Sequence, residues 1–213
     1  MALILVIGAS HGIGLETVKA ALAAGHDVRA FARSAQSIPL AHPKLCKITG
    51  DALKRADVVA ALPGVDAVIQ SIGANAVTDL IVGTKLFSNA THVMVEAMQA
   101  AGVCRLLTVT GLGAGNSRGR INFIYDNLIF PVVLQRVYDD KDIAEDIVMK
   151  SGLDWTIARP GLLTNEPATG RYNVLTEMRD WRAGSISRAD VADFLVEHVD
   201  DKTLFGATPL LID

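Results

Sequence analysis

Gly8-Ala9-Ser10-His11-Gly12-Ile13-Gly14 constrains this chain more than any other stretch. Before it stands Leu3-Ile4-Leu5-Val6-Ile7, an unbroken apolar run with β-branched members, which reads as a strand buried on both faces. After it, Leu15 to Gly25 reads as a helix. Leu15, Val18 and Leu22 share one face, and Gly25 is placed to end the helix. A strand, a tight glycine turn and a helix make the first half of a dinucleotide-binding βαβ unit. In that reading Gly8 permits the turn, Gly12 lets the backbone approach a pyrophosphate, and Gly14 lets the helix pack close to the strand. Ser10, His11 and Ile13 complete a cradle whose free N–H groups and positive helix end face the phosphates.

The same residues also fit a second pattern. Gly8-Ala9-Ser10-His11-Gly12 matches the G-x-S-x-G elbow that presents a nucleophilic serine. That elbow would follow the first strand of the chain, with no earlier strand–helix loop to complete an oxyanion hole. It also leaves Gly14 without a role. The dinucleotide reading is therefore preferred.

Composition narrows the remaining options. Half of the 213 residues are apolar, enough for one sizeable core, and residues 1–213 read as one domain. Net charge is −3 with no basic block, so neither nucleic acid nor an anionic membrane is an expected partner. The two cysteines, Cys46 and Cys104, lie in apolar, strand-like surroundings and are expected to be buried free thiols. Five scattered histidines give no zinc spacing, so no metal is expected. The apolar N-terminus lacks a basic region and runs straight into the glycine turn, unlike an export signal; a reducing cytoplasm is the expected setting.

Further along, strands are expected at Val28–Ala32, Leu45–Thr49, Asp66–Gly73, Arg105–Thr110, Trp155–Ala158 and Pro209–Ile212, with a short one at Arg171–Leu175. Helices are expected at 58–62, 84–102 and 139–150, the last with Ile143 and Ile147 inward. Ile121 to Tyr138 is unusually apolar; its aromatics suit a core-packing helix, or a hydrophobic wall for a flat substrate. Ser187 and Asp190 resemble a capping box that starts a further helix. This alternation predicts an α/β fold: a Rossmann-type doubly wound domain with a mostly parallel central sheet, helices on both faces and cofactor at the carboxyl ends of the strands.

Site candidates follow from that placement. At the end of the second strand an acid would select the ribose 2′-OH of NAD, whereas Arg33 and Ser34 stand there and suit the 2′-phosphate of NADP. Asp51, Ala52 and Leu53 end the third strand, where they flank an adenine; Asp51 equally suits a helix cap. Ser71, Ile72 and Gly73 end the fourth strand where a bound cofactor passes. Pro160 and Gly161 after the sixth strand are cofactor-binding candidates, and about 160–213 would contribute the substrate side.

Taken together, the glycine turn, Gly50-Asp51, Ser151 to Thr156, Arg159-Pro160-Gly161 and Ser187-Arg188-Ala189-Asp190-Val191-Ala192 resemble an atypical short-chain dehydrogenase/reductase. The nearest branch is the NAD(P)H-binding group that contains biliverdin-IXβ/flavin reductases and NmrA-like proteins. The resemblance covers nearly the whole chain. It implies NADP(H) as cofactor, favoured over NAD(H) by Arg33 and by His11 before the second glycine. It also implies a catalytic lysine, which register places at Lys141. The family tyrosine belongs four residues earlier, where Val137 stands; Tyr138, three residues earlier, points about 100° away on a helix. The family serine is replaced by Gly111, with Thr110 just before it.

Lys141, Thr110 and Tyr138 are thus the catalytic candidates, with Lys141 and Thr110 also expected to bind the cofactor, although Lys141 alone also fits a solvated helix lysine. The branch with biliverdin and flavin reductases works without that tyrosine. The resemblance therefore implies an NADPH-dependent reductase that holds nicotinamide against a flat small-molecule acceptor of flavin, quinone or tetrapyrrole type. The alternative is a non-catalytic NADP(H)-binding redox sensor of NmrA-like type with a protein partner.

Overall fold

The computed structural model of the protein describes residues 1–73, 85–117 and 135–213. The strands are β1 (Leu3–Ile7), β2 (Asp27–Ala32), β3 (Leu45–Thr49), β4 (Ala67–Gln70), β5 (Arg105–Val109), β6 (Asp154–Pro160), β7 (Leu162–Thr164), β8 (Asn173–Leu175), β9 (Ser185–Ser187) and β10 (Leu210–Ile212). The helices among the described residues are α1 (Gly12–Ala23), α2 (Arg55–Ala61), α3 (Leu86–Ala101), α4 (Gln135–Met149) and α5 (Arg188–Glu197).

Eight strands form one sheet in the order β3-β2-β1-β4-β5-β6-β10-β8, parallel throughout except for β8, which runs antiparallel to β10. This is the doubly wound α/β architecture expected from the sequence. Alternation along β1 shows why its residues are apolar without a break. Ile4 and Val6 join one core with Val18 and Ala21 of α1 and Val191, Phe194 and Leu195 of α5. Leu5 and Ile7 join the other, with Val58 of α2, Met94 and Met98 of α3 and Val148 of α4. Helices cover both faces, so a polar residue has no solvent side to occupy. Each such side chain contributes ~1.5–3 kcal/mol by leaving water.

The strand order reverses beside β1. The chain winds through β2 to β3 on one side, then returns to pair β4 on the other, with Ile7 opposite Phe31 and Gln70. Beyond Ile7 the loops diverge, and the crevice between them is where this topology leaves room for a ligand.

Several local expectations change. The buried face of α1 comprises Ile13, Gly14, Thr17, Val18 and Ala21. Leu15 and Leu22 lie at its margins, because α1 packs its small residues closest to the sheet. Ile143 is 55% exposed, while Ala144 and Val148 turn inward and Ile147 packs at the margin. Cys46 and Cys104 are free thiols, as expected, but exposed rather than buried. Cys46 alternates away from the core on a strand at the sheet's edge, and Cys104 stands in the connection just before β5. The parallel pair β7–β9 was not foreseen, since three-residue strands leave little periodicity to read. Ser187 does cap α5: its Oγ accepts from Asp190 N at 2.9 Å and donates to Asp190 Oδ2 at 2.7 Å. The aromatic stretch Phe123, Ile124, Tyr125, Phe130 and Leu134 lies outside the described residues. No helix among the described residues is long and apolar enough to cross a membrane.

Candidate functional site

The glycine turn leaves β1 at Gly8, whose φ is +88°. A Cβ there would also stand 2.7 Å from Ser71 O, so both backbone conformation and the neighbouring strand end require glycine. Gly14 lies behind the turn, and a Cβ on it would overlap the carbonyl oxygen of Gly8. Its absence lets α1 press against the end of β1. Gly12 has φ +56° and faces the crevice, where the nearest atom to an added Cβ is Arg188 Nε at 3.8 Å. The first intrahelical bond of α1 runs from Leu15 N to His11 O at 3.3 Å. The N–H groups of Gly12, Ile13 and Gly14 therefore have no intrahelical acceptor. His11 makes no side-chain cap, its ring nitrogen lying 2.9 Å from Ser10 Oγ, and the first turn contains no acid. An uncapped, positively polarised helix end thus opens onto the crevice, suited to an anion.

The crevice is a cleft of about 460 Å³. Its walls include Gly8, Ser10, His11, Gly12 and Ile13 of the turn, Arg33 and Ser34 after β2, and Asp51, Ala52 and Leu53 after β3. Ser71, Ile72 and Gly73 after β4, Thr110 after β5, Lys141 of α4 and Pro160 of β6 complete it. Three candidates lie elsewhere. Gly14 is behind the turn. Gly161 abuts the Gly184 carbonyl and Ile212, where the chain leaves the main sheet for β7. Tyr138 sits beside Gly111, outside the lining.

Sequence reasoning missed Leu86, Leu163 and Arg188 as wall residues. The Ser187-Arg188-Ala189-Asp190 motif was visible, but nothing local shows that α5 brings Arg188 against Gly12.

At the end of the cleft beside β2 and β3, Arg33 is exposed and has no hydrogen-bond or ion-pair partner among the described residues. Asp51 is built into the backbone: its Oδ1 accepts from Leu53 N at 3.0 Å and its N donates to Asp57 Oδ2 at 2.9 Å. It shapes the turn before α2 rather than capping that helix, whose cap residue is Lys54.

At the opposite end, Lys141 Nζ donates to Thr110 O at 2.7 Å. Burial pushes the Lys141 ammonium down to about 8, against the upward pull of the Glu145 carboxylate. Glu145, one turn further along α4, is fully buried. It accepts from Thr110 Oγ1 at 2.6 Å and from Arg159 Nε and Nη2 at 3.0 and 2.6 Å. Arg159 also donates to Asn116 Oδ1 at 2.6 Å and lies over the Trp181 ring. Thr110 is therefore held by Lys141 at the carbonyl, by Glu145 at the hydroxyl and by Ala158 O at its N–H.

Val137, at the position of the family tyrosine, is 3% exposed and packs with Phe87 and Ala144. Tyr138 stays outside the cleft lining, but its hydroxyl comes close to the end of β5. Its hydroxyl lies 3.3 Å from where a Gly111 Cβ would stand, and Lys141 Nζ lies 3.8 Å from the same point. A side chain at 111 would press on the tyrosine hydroxyl.

A glycine turn at an open helix end, an exposed arginine after β2 and a buried lysine at the far end fit a dinucleotide laid along one cleft. These features define a nucleotide-binding protein of the Rossmann type. Residues 8–202 match the model of the NAD(P)H-binding family, and the chain belongs to that family.

Among curated relatives, an Arabidopsis thaliana chloroplast protein, the uncharacterized At2g34460, is 31% identical over 91% of this chain and 70% of its own length. YhfK of Bacillus subtilis, named an uncharacterized sugar epimerase, is 32% identical over 68% of this chain. That match spans only 62% of YhfK, less than two thirds of its length. Among solved structures, ChuY of Escherichia coli O157:H7, described as an anaerobillin reductase, has a TM-score of 0.81 at 28% identity, over 99% of this chain and 96% of that one. A short-chain dehydrogenase/reductase from Veillonella parvula, solved with NADP, has a TM-score of 0.83 at 18% identity over 100% and 94% of the two chains, a likeness of fold.

Proposed function

We propose that the protein is an NADPH-dependent oxidoreductase that passes a hydride to a flat conjugated acceptor of flavin, quinone or tetrapyrrole type. The observation that carries this reading is Lys141, held on the Thr110 carbonyl in the same cleft that begins at the glycine turn. Bound there, NADPH supplies the hydride itself.

The chain's own residues bind and orient. Amides of Gly12 and Ile13 would hold the phosphates, and Arg33 would hold the 2′-phosphate by a charge-assisted fork. The Lys141 ammonium, fixed by the Thr110 carbonyl, would donate to a ribose hydroxyl. Leu86, Pro160 and Leu163 give apolar walls that exclude water from the reacting face. A conjugated acceptor spreads the incoming charge over its rings and takes its proton from solvent. Val137 and Gly111, in place of the family Tyr and Ser, are then tolerable. The similarity to ChuY supports a tetrapyrrole among the acceptors.

The same two departures also favour a second reading, a non-catalytic NADP(H) sensor that signals to a protein partner. Steady-state NADPH oxidation with a free flavin, a quinone and a linear tetrapyrrole separates the two. Turnover with at least one acceptor is expected; tight NADPH binding without turnover on any of them points to the sensor.

A further inference from the structure

We propose that Arg188 is a diphosphate clamp, gripping the cofactor's phosphates from the side opposite the glycine turn; this rests on the dinucleotide reading of the cleft. Arg188 is the first residue of α5 and lines the cleft. Its Nη1 donates to Thr164 O at 3.1 Å and Asn165 Oδ1 at 2.7 Å, which together fix the guanidinium plane. Nε faces Gly12, 3.8 Å from the position of a Cβ there. Nε and Nη2 have no acceptor among the described residues. A donor edge of the fork is thus left over, pointed at the turn.

Its electrostatic setting argues that this edge awaits an anion. Arg188 stands at the N-terminus of α5 and against the N-terminus of α1, two positively polarised helix ends. A cation gains nothing from either. The acid in the first turn of α5, Asp190, gives it no partner. Asp190 is committed to Ser187 and to the amides of Thr169 and Gly170, bonds that hold its carboxyl below the usual range against the opposing effect of burial. A diphosphate between α1 and Arg188 would satisfy the free amides and the free guanidinium edge together. Gly12 keeps that space open, since a side chain there would stand between the two. Arg33 would then read the 2′-phosphate that distinguishes NADPH, and Arg188 the diphosphate common to both cofactors.

Calorimetric titration of wild type, Arg188→Ala, Arg188→Lys and Arg33→Ala tests this, with NADPH and with ADP-ribose, which carries the diphosphate but no 2′-phosphate. Arg188→Ala is expected to weaken both ligands by a similar factor, about tenfold to 100-fold, the scale of a hydrogen bond to a charged group. Arg188→Lys should recover part of the loss. Arg33→Ala should weaken NADPH alone. Melting of the ligand-free variants shows whether the fold is intact. Unchanged binding of both ligands by a folded Arg188→Ala overturns the clamp, as does a loss confined to NADPH. Binding of neither ligand by wild type overturns the dinucleotide reading itself.

Discussion

The Lys141 ammonium donates to the backbone carbonyl of Thr110 across 2.7 Å, pinning α4 to the end of β5 at the floor of the cleft. The contact does two things. It presents a cation at a fixed place without any tyrosine to orient it. It also draws that cation out of water, which is why its proton is held more loosely than in an ordinary lysine, at about 8.

Lys141→Met is expected to change two pH profiles. Below about pH 8 wild-type Lys141 is charged; above it the native state loses this proton while the unfolded chain keeps it up to the ordinary lysine range. The unfolded state then binds more protons, so the lysine's contribution to stability rises with pH across that window. Denaturant unfolding at several pH values should show this rise in wild type and not in Lys141→Met. NADPH affinity should fall as pH passes about 8 in wild type only. Superimposable profiles for the two proteins would remove Lys141 from the site.

Glu145→Gln is expected to destabilise the fold by about 3–5 kcal/mol, because it leaves the buried Arg159 guanidinium without its countercharge. Urea unfolding measures it. Because Gln keeps one acceptor oxygen where Glu145 has two, the Thr110 hydroxyl and Arg159 must share it, and the NADPH KM should rise as well. A loss under 1 kcal/mol would mean that Asn116 and Trp181 suffice to hold Arg159.

Gly12→Ala is expected to cost about 1–2 kcal/mol of stability from the left-handed backbone at φ +56°. It should weaken NADPH far more, since the methyl group enters the space between α1 and Arg188. The comparison of calorimetric binding with thermal melting separates the two effects. Normal NADPH binding would move the phosphates away from this turn. Ser10→Ala, by contrast, should leave turnover largely intact, as no nucleophilic serine is involved.

Much of this arrangement is legible locally, and what is not depends on distance along the chain. The strand, turn and helix around Gly8 are contiguous, so apolar pattern and glycine spacing identify them. Arg33 is legible for the same reason, one strand further on. Arg188 is not, because only the packing of α5 against α1 brings it to Gly12. Gly161 has the composition of a loop glycine at a strand end, yet it serves the close approach to Gly184 where β7 departs. The inward reading of Ile143 fails because α4 is covered along the line of Val137, Ala144 and Val148, one residue away on the helix wheel. Tyr138 brings its hydroxyl close to Gly111 through the packing of α4 on the end of β5, a proximity that helical offset alone cannot reveal.

Tyr138→Phe is expected to lower turnover by less than about tenfold, since the hydroxyl lies outside the cleft lining and a conjugated acceptor needs no side-chain acid. Steady-state kinetics with a free flavin gives the answer. A fall of about 10²–10⁴-fold in kcat would identify Tyr138 as a general acid displaced by one position.

The most direct test of the whole account follows the hydride. Wild-type protein is incubated with NADPH deuterated at nicotinamide C4, each diastereomer in turn, and a linear tetrapyrrole, and the reduced product is examined by mass spectrometry. The account predicts carbon-bound deuterium in the product from one diastereomer and none from the other, because the cleft presents a single face of the ring. Unlabelled product from both, or no reduced product while NADPH is bound, would contradict direct hydride transfer in this cleft.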